Sequence, residues 1–302
     1  MTLIQKIGVY VAILLAVVFW GTSFVWSKKV LEFYQPFTLI FFRLIISSVI
    51  LFILALLFGW LKKTTKKEFL LFLLAALFQP FLYFIGEGYG IKFTTSSFSS
   101  VIIATIPLFI PFAAYFFLKD KIRPILIIGI ILSFIGVYIM MSANGFETLS
   151  IKGILFLFLA VFSAVGYSIV VKILTGKFNP ITIILYQNII GIFYFLPFFI
   201  FGEMNDFIET GYHFEVLPEL IQLGVFSSSV AFICFTYSIS KIGVSKTSVF
   251  SNFIPVVTLI YAYFFVNESI TWMKVTGMLV VIFGVTLSQI NFKKKNANKI
   301  SS

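Results

Sequence analysis

The chain has 302 residues, of which 60% are hydrophobic and 11% charged, and its formal net charge is +11. A soluble domain carries about 25% charged residues, so this composition excludes a soluble globular domain and predicts apolar surface that faces lipid. The apolar runs are continuous over about 20 residues, which favours helices over a β-barrel, whose strands alternate in polarity. The basic residues lie in short loops and at the tail, so the charge indicates membrane topology and not nucleic-acid binding.

The apolar runs predict ten transmembrane helices. In chain order they span residues 7–26, 36–58, 69–90, 96–118, 124–142, 153–172, 180–201, 216–239, 246–266 and 271–290. The first run is too long for the apolar core of a secretory signal. All connections are short, so any function must lie within the helical bundle. We expect the longest connection, around 202–215, to be an acidic loop outside the membrane, with Glu203, Asp206, Glu209 and Glu215.

The lysine and arginine residues predict the orientation of the chain. With the N-terminus in the cytoplasm, the cytoplasmic side collects Lys6, Lys62, Lys63, Lys66, Lys67, Lys119, Lys121, Arg123, Lys172, Lys177, Lys241, Lys246, Lys293, Lys294, Lys295 and Lys299. The opposite side carries only Lys28, Lys29, Lys92, Lys152 and Lys274. We therefore expect a multi-pass protein of the cell (plasma) inner membrane with both termini cytoplasmic. The lysines after residue 292 flank the last span, and anionic lipid is an alternative partner for them.

An internal repeat divides the chain. A shift of 148 residues places Pro107 on Pro255 and Asp120 on Glu268, and a shift of 144 places Arg43 on Gln187. The repeat predicts two five-helix units, residues 1–145 and 150–292, followed by a basic cytoplasmic tail, residues 293–302. Because five is odd, the second unit enters the membrane upside down. Such inverted repeats are common in secondary transporters.

Both units end with a proline-containing helix, an acidic turn and a glycine-spaced helix. The two copies read IPLFIPFAAYFFLKDKIRPILIIGIILSFIGVYIM and IPVVTLIYAYFFVNESITWMKVTGMLVVIFGVTLS. Together with AVVFWGTSF near the start, and Pro36 seven residues before Arg43, they resemble the EamA family of the drug/metabolite transporter superfamily. Asp120 stands where the family usually has Glu. The resemblance implies an all-α integral membrane protein of ten helices in two inverted repeats, which exports or exchanges small metabolites, often amino acids.

Polar residues inside the spans mark a candidate substrate-binding site, because they are costly to insert. Arg43 would contact a substrate carboxylate, form a structural pair or snorkel to the surface. Glu87 lies at a similar depth, where it would pair with Arg43, carry a coupling proton or sit among lipid headgroups. Gln79, Tyr83 and Glu87 share one helix face, so we expect that face to line a cavity.

The remaining candidate substrate-binding residues are Trp20, Ser163, Tyr167, Gln187, Asn188, Ser251 and Asn252. Trp20 would stack on a substrate ring or belong to the interfacial aromatic belt. Ser163 and Tyr167 would bind substrate or form interhelical hydrogen bonds. Pro107 and Pro255 occupy matching mid-span positions and each lacks an N–H, so they predict paired helix breaks with a gating role. A face with Gly129, Ser133 and Gly136, and another with Gly277 and Gly284, predict close helix packing within the bundle or in a dimer.

No catalytic, metal or nucleotide-binding pattern stands out. His213 lies in a polar loop, Cys234 is a lone thiol in an apolar run, and no P-loop is present. We therefore expect a non-enzyme without a cofactor. Its partners would be a small-molecule substrate and the lipid bilayer, with no nucleic acid, and it would be a monomer or homodimer.

The main hypothesis is a secondary transporter that exports small metabolites, amino acids or related compounds, across the cell membrane by alternating access. One alternative is an exchanger of phosphorylated or nucleotide-linked metabolites, which would need several buried cations. Another is a channel-like or non-transporting membrane protein, for which a ring of repeated polar residues would be expected.

Overall fold

The computed structural model describes residues 3–111, 124–144 and 150–289. In these ranges the chain forms ten helical segments and no strand. They are α1 (Leu3–Val30), α2 (Pro36–Leu57), α3 (Lys66–Phe93), α4 (Ser96–Pro111), α5 (Pro124–Asn144), α6 (Ile151–Leu174), α7 (Pro180–Thr210), α8 (Phe214–Ile242), α9 (Lys246–Phe265) and α10 (Trp272–Gln289). Eight are long and apolar enough to cross a membrane, and the described parts of α4 and α10 are shorter apolar helices. The predicted all-α membrane fold is confirmed. Asp120 and the tail 293–302 lie outside the described residues.

Several helices begin at residues that suit a helix start. Pro36 and Pro180 occupy the first turns of α2 and α7, where a missing N–H costs nothing. Thr65 and Glu68 form a capping box at the start of α3, which satisfies two N–H groups that have no partner in the helix. Asn179 accepts a hydrogen bond from the Thr182 N–H and caps α7.

The predicted acidic loop around 202–215 is wrong at Glu203. α7 continues through a π-helical segment, Phe199–Glu203, to Thr210, and Glu203 is buried. Its carboxylate accepts hydrogen bonds from the N–H groups of Phe37 (3.2 Å) and Thr38 (2.7 Å) and from the Thr38 hydroxyl (2.9 Å). The first N–H groups of α2 lack helical partners, so they stabilise a carboxylate that a hydropathy pattern assigns to water.

The helix ends lie on two faces of the bundle. We name the side where α1 ends the Val30 face and the side where α2 ends the Leu57 face. At the Val30 face, Lys28 Nζ donates to the carbonyl of Ile91 near the end of α3 at 2.9 Å. At the Leu57 face, the Thr182 hydroxyl at the start of α7 donates to the carbonyl of Trp60, just after α2, at 2.6 Å.

Contacts between the first five helices and the last five come in corresponding pairs. The α3–α6 contact corresponds to α8–α1, the α3–α7 contact to α8–α2, and the α4–α6 contact to α9–α1. The remaining main contacts, α2–α7, α4–α9 and α5–α10, join helices five places apart. These main contacts are therefore preserved when each helix is replaced by the one five places along.

The α5–α10 seam brings two helix backbones close together. A Cβ atom on Gly129 would lie 2.5 Å from the Gly284 carbonyl oxygen, and one on Gly136 would lie 2.6 Å from that of Gly277. Ser133 lies in the same seam, with its hydroxyl 3.5 Å from the Val281 carbonyl oxygen. The predicted close packing within the bundle is confirmed.

Both α4 and α9 are interrupted near their prolines. Regular helix in α4 ends at Ile103, two residues in a turn follow, and Pro107 lies just beyond them. In α9 a 3-10 segment, Val249–Phe253, precedes regular helix that contains Pro255 in its first turn. Residues around the two breaks line the cavity described next.

Candidate functional site

A cavity of about 880 Å³, including its open mouth, lies between α1, α3, α4, α6, α8 and α9, with Arg43 of α2 in its wall. The lining residues nearest the Leu57 face are Ile110, Val171, Ile239, Val244 and Ser248. Toward the Val30 face the lining stops at Phe24, Arg43 and Glu87, well inside the helix ends. The cavity therefore extends to the Leu57 face and stops short of the Val30 face.

An ion pair forms the inner end of this cavity. Arg43 Nη1 lies 3.7 Å from Glu87 Oε2, and the two side chains are 2% and 9% exposed. The Tyr83 hydroxyl donates to Glu87 Oε1 at 3.0 Å. A tight charge-assisted hydrogen bond measures about 2.7–2.9 Å, so the Arg43–Glu87 pair is loose. All three side chains line the cavity, which leaves both charges within reach of a bound solute.

The Arg43 guanidinium is held on three sides by other contacts. Its Nε donates to the Ser228 hydroxyl at 2.9 Å, and Nη2 donates to the Ser227 hydroxyl at 3.1 Å. Its central carbon lies 4.2 Å from the centre of the Phe84 ring, a cation–π distance. These contacts fix the guanidinium with one edge toward Glu87.

A hydrogen-bonded network of serines and one asparagine holds Arg43 in place. We name this network, together with Arg43, the α2–α8 seam. Ser227, Ser228 and Ser229 lie in a π-helical stretch of α8, Leu223–Ala231. The Ser47 hydroxyl of α2 donates to the Ser228 carbonyl at 3.1 Å and shares a 2.7 Å hydrogen bond with Ser229 Oγ. Asn188 Nδ2 of α7 donates to Ser47 Oγ at 2.7 Å. Ser47 and these three serines are not among the residues predicted from the sequence, although a triple serine inside an apolar span is a visible signal.

Further polar groups line the cavity nearer its mouth. The Tyr167 hydroxyl donates to Gln187 Oε1 at 2.9 Å, so Gln187 orients Tyr167 from behind. Gln79 also lines the cavity, at a residue with extended backbone (φ −147°, ψ 117°) inside the π-helical segment Leu77–Leu82. At this interruption the amide side chain of Gln79 becomes part of a cavity wall that is otherwise largely apolar.

Trp20 lies in the cavity wall. Its ring contacts Phe232 edge-on, with 5.0 Å between ring centres, and lies 4.8 Å from Phe235. All three side chains line the cavity. Together they form an aromatic wall next to the ion pair, suited to an apolar or aromatic part of a solute.

The structure separates the predicted site residues into two groups. Those that line the cavity are Trp20, Arg43, Gln79, Tyr83, Glu87, Pro107, Tyr167 and Ser251, and those outside the lining are Ser163, Gln187, Asn188, Asn252 and Pro255. The Ser163 hydroxyl donates to the Leu159 carbonyl of its own helix at 2.7 Å, and it makes no interhelical hydrogen bond within the described ranges. Asn252 Nδ2 donates to the Thr286 hydroxyl at 3.2 Å, and its buried Oδ1 has no hydrogen-bond partner in the part of the chain that the structure describes.

Comparison with protein families decides the identity of the fold. The model of the EamA-like transporter family matches the chain twice, over residues 7–142 and 151–289. The chain belongs to this family. The two matches coincide with α1–α5 and α6–α10, so the family model matches each half of the chain separately. The protein is therefore a multi-pass membrane transporter, which in a bacterium resides in the cell membrane.

Relatives of this EamA-like transporter span nearly its whole length. The uncharacterized transporter YcxC of Bacillus subtilis (strain 168) is 28% identical over 96% of this chain and 96% of its own. An uncharacterized transporter of Archaeoglobus fulgidus is 27% identical over 91% of this chain and 96% of its own. A protein of known crystal structure matches 90% of this chain and 97% of its own with a TM-score of 0.64 at 13% identity, which shows a shared fold. None of these descriptions states a substrate.

Proposed function

We propose that this EamA-like transporter is a secondary transporter that exports small metabolites, amino acids foremost, by alternating access. The observation that carries the proposal is a cavity whose described lining reaches the Leu57 face, stops short of the Val30 face and ends at a buried pair of opposite charges. Such a cavity moves a solute across the membrane when its closed end opens and its open end closes. A channel would instead need a path through both faces at once.

An inverted relation between the two halves gives this exchange a structural basis. Two contacts support it. Gly153 at the start of α6 abuts Phe93 at the end of α3. α6 therefore starts at the Val30 face, where its counterpart α1 ends. In the α5–α10 seam, the earlier glycine of α5 meets the later glycine of α10, so these counterpart helices run antiparallel. Two such halves exchange their roles when the cavity changes the face to which it opens.

The lysine distribution supports an orientation with the Leu57 face in the cytoplasm. The loops and helix ends at that face carry Lys62, Lys63, Lys66, Lys67, Lys177, Lys241 and Lys246. In this orientation the cavity loads from the cytoplasm, as the first step of export requires. Both chain termini are then cytoplasmic.

The ion pair favours a zwitterion over a simple anion or cation. An amino acid that enters the loose 3.7 Å pair places its carboxylate on Arg43 and its ammonium group on Glu87, and the site stays neutral. An anion without an ammonium group leaves the Glu87 carboxylate without its counter-charge. A phosphorylated metabolite meets one cation, Arg43, among the described lining residues, which counts against the exchanger of phosphorylated or nucleotide-linked metabolites.

Transport by purified protein in proteoliposomes tests this proposal. We expect labelled zwitterionic amino acids to move, with and without a pH gradient as separate conditions, and sugar phosphates and nucleotides to stay. Arg43→Ala and Glu87→Gln should each reduce the rate by at least about tenfold, as for loss of a charged hydrogen-bonding contact. Ser163→Ala is the matched control, because Ser163 lies outside the lining. Movement of a phosphorylated metabolite, or full activity of both variants, would contradict the substrate assignment.

A further inference from the structure

We propose that Glu268, in the turn between α9 and α10, acts as a latch that keeps the Val30 face closed and is released in each transport cycle. Glu268 Oε2 accepts a hydrogen bond from the Ser97 N–H at the start of α4, at 3.4 Å. Glu268 Oε1 accepts one from Lys274 Nζ at 3.4 Å. We name Glu268, Lys274 and Ser97 the Glu268 latch. The inference rests on the proposed alternating access and does not depend on which substrate is carried.

The latch joins two segments that must separate if the Val30 face is to open. Ser97 belongs to α4 in the first half, and Glu268 follows α9 in the second. The segments Ser96–Ile103 of α4 and Ile254–Phe265 of α9 pack against each other. Beyond their breaks, α4 and α9 instead contribute Ile110 and Ser248 to the cavity wall. Both helices are thus packed together on the Val30 side and line open space on the other side.

The geometry of the latch depends on charge. The start of a helix presents N–H groups without helical partners, which favour a carboxylate. Lys274 supplies the balancing charge; its side chain is 3% exposed and also donates to the Ser269 carbonyl at 2.9 Å. Removing the charge of Glu268 therefore weakens the contact with α4 and leaves a buried ammonium group without its carboxylate.

The closed Val30 face also leaves polar groups without partners. Four buried side-chain atoms lack a hydrogen bond among the described residues, and two of them, Ser97 Oγ and Glu219 Oε2, lie at this face. Ser97 is part of the latch, and Glu219 pairs with Lys29 across α1 and α8 at 3.1 Å. Opening the face admits water to both atoms. The two atoms lack hydration in the closed state and regain it in the open state. This reduces the free-energy difference between the closed and open states.

Cysteine labelling of the full chain in membrane vesicles tests the latch. The background carries Cys234→Ser, since Cys234 is the single native cysteine. One reporter is Ser96→Cys, next to the latch and 1% exposed as serine. The other is Ser251→Cys in the cavity wall. A membrane-impermeant maleimide is added from each side in turn to each reporter, with and without Glu268→Gln.

Glu268→Gln should raise labelling of both reporters from the Val30 face by about tenfold, the effect of losing a charge-assisted hydrogen bond. It should lower labelling of the Ser251→Cys reporter from the Leu57 face. Glu68→Gln is the matched control: it makes the same change at the other face, in the Lys177–Glu68 pair (3.2 Å), and glutamine also suits its capping position. This control should leave labelling from the Val30 face unchanged.

Two results would overturn the latch: unchanged labelling from the Val30 face in folded Glu268→Gln protein, or a rise at both faces, which indicates general loosening. Folding is checked by gel filtration and the midpoint of thermal unfolding. If labelling responds as expected but no amino acid is transported, the latch stands and the substrate assignment fails. If amino acids are transported but labelling does not respond, the latch fails and the proposed function stands.

Discussion

The α5–α10 seam and the α2–α8 seam are both close helix contacts, but opposite chemistry holds them together. α5 and α10 meet through glycines that let the two backbones touch. α2 and α8 meet through the Arg43 guanidinium, the Ser47 hydroxyl and the serines of a π-helical stretch. The glycine seam contributes none of the described residues that line the cavity, whereas the α2–α8 seam contributes Arg43.

This difference shows that close helix packing and substrate binding are served by different helix contacts in the bundle. Helices in lipid gain little from hydrophobic association, so small residues that allow van der Waals contact form a permanent joint. In a polar seam each group needs a partner, because unsatisfied groups are costly away from water. A substitution in the glycine seam therefore acts by steric overlap. A substitution in the α2–α8 seam acts by leaving its partners unpaired.

The largest expected effect is that of removing Arg43. Arg43→Met leaves the buried Glu87 carboxylate without its cation, a change that costs about 3–5 kcal/mol in buried pairs. The midpoint of thermal unfolding in detergent measures the loss. The double variant Arg43→Met/Glu87→Gln should recover much of it, because both charges are then gone, while transport stays abolished. Equal instability of the single and double variants would show that the two charges are not coupled.

A smaller effect is expected from Gly136→Ala in the glycine seam. The added Cβ would lie 2.6 Å from the Gly277 carbonyl oxygen and 2.7 Å from Val281 Cγ2, so the helices must move apart, at about 1–3 kcal/mol. The same thermal measurement applies. Gly8→Ala is the matched control, since nothing lies within 4 Å of its added Cβ. If both variants are equally stable, the seam is looser than its glycine contacts indicate.

Asn188→Ala should lower the stability less than Gly136→Ala does, but it should also weaken substrate binding. It removes the hydrogen bond to Ser47 Oγ (2.7 Å) and a weaker one to the Ser228 carbonyl (3.4 Å), together worth about 1 kcal/mol. The serines that hold Arg43 then lose their support, so the KM for substrate should rise. Asn205→Ala, at an exposed position of α7, serves as control. A raised KM in both variants would contradict the role of the α2–α8 seam.

Sequence alone predicted the helices and the glycine seam, because both depend on local patterns. Hydropathy fixes a span within its own 20 residues, and small residues at helical spacing mark a close contact. The α2–α8 seam was predicted only in part. Arg43 and Asn188 stand out as polar residues within apolar spans. The triple serine of α8 is also visible in the sequence, but only the fold places Ser228 against Arg43.

Glu203 shows why the rest could not be predicted. A charged residue after an apolar run ends a predicted span, so the hydropathy pattern predicts that Glu203 lies in an outer loop. Its carboxylate is instead satisfied by the N–H groups at the start of α2, 165 residues away from Thr38 in the chain. No local pattern reveals a partner at that distance. The same holds for Ser97 and Glu268, whose contact links positions 171 residues apart.

The smallest expected effect is that of Ser163→Ala. This variant tests whether a hydroxyl that bonds within its own helix matters less than a hydroxyl in the α2–α8 seam. The Ser163 hydroxyl bonds the Leu159 carbonyl one turn earlier in α6, a contact that adds little to helix stability, so its loss should change stability by less than about 0.5 kcal/mol. Ser47→Ala is the same substitution in the α2–α8 seam, and it removes the acceptor of Asn188 and the partner of Ser229. Thermal unfolding and transport should therefore separate the two variants, with Ser47→Ala the more damaging. Equal behaviour would mean that hydroxyls in the α2–α8 seam are no more important than hydroxyls bonded within their own helix.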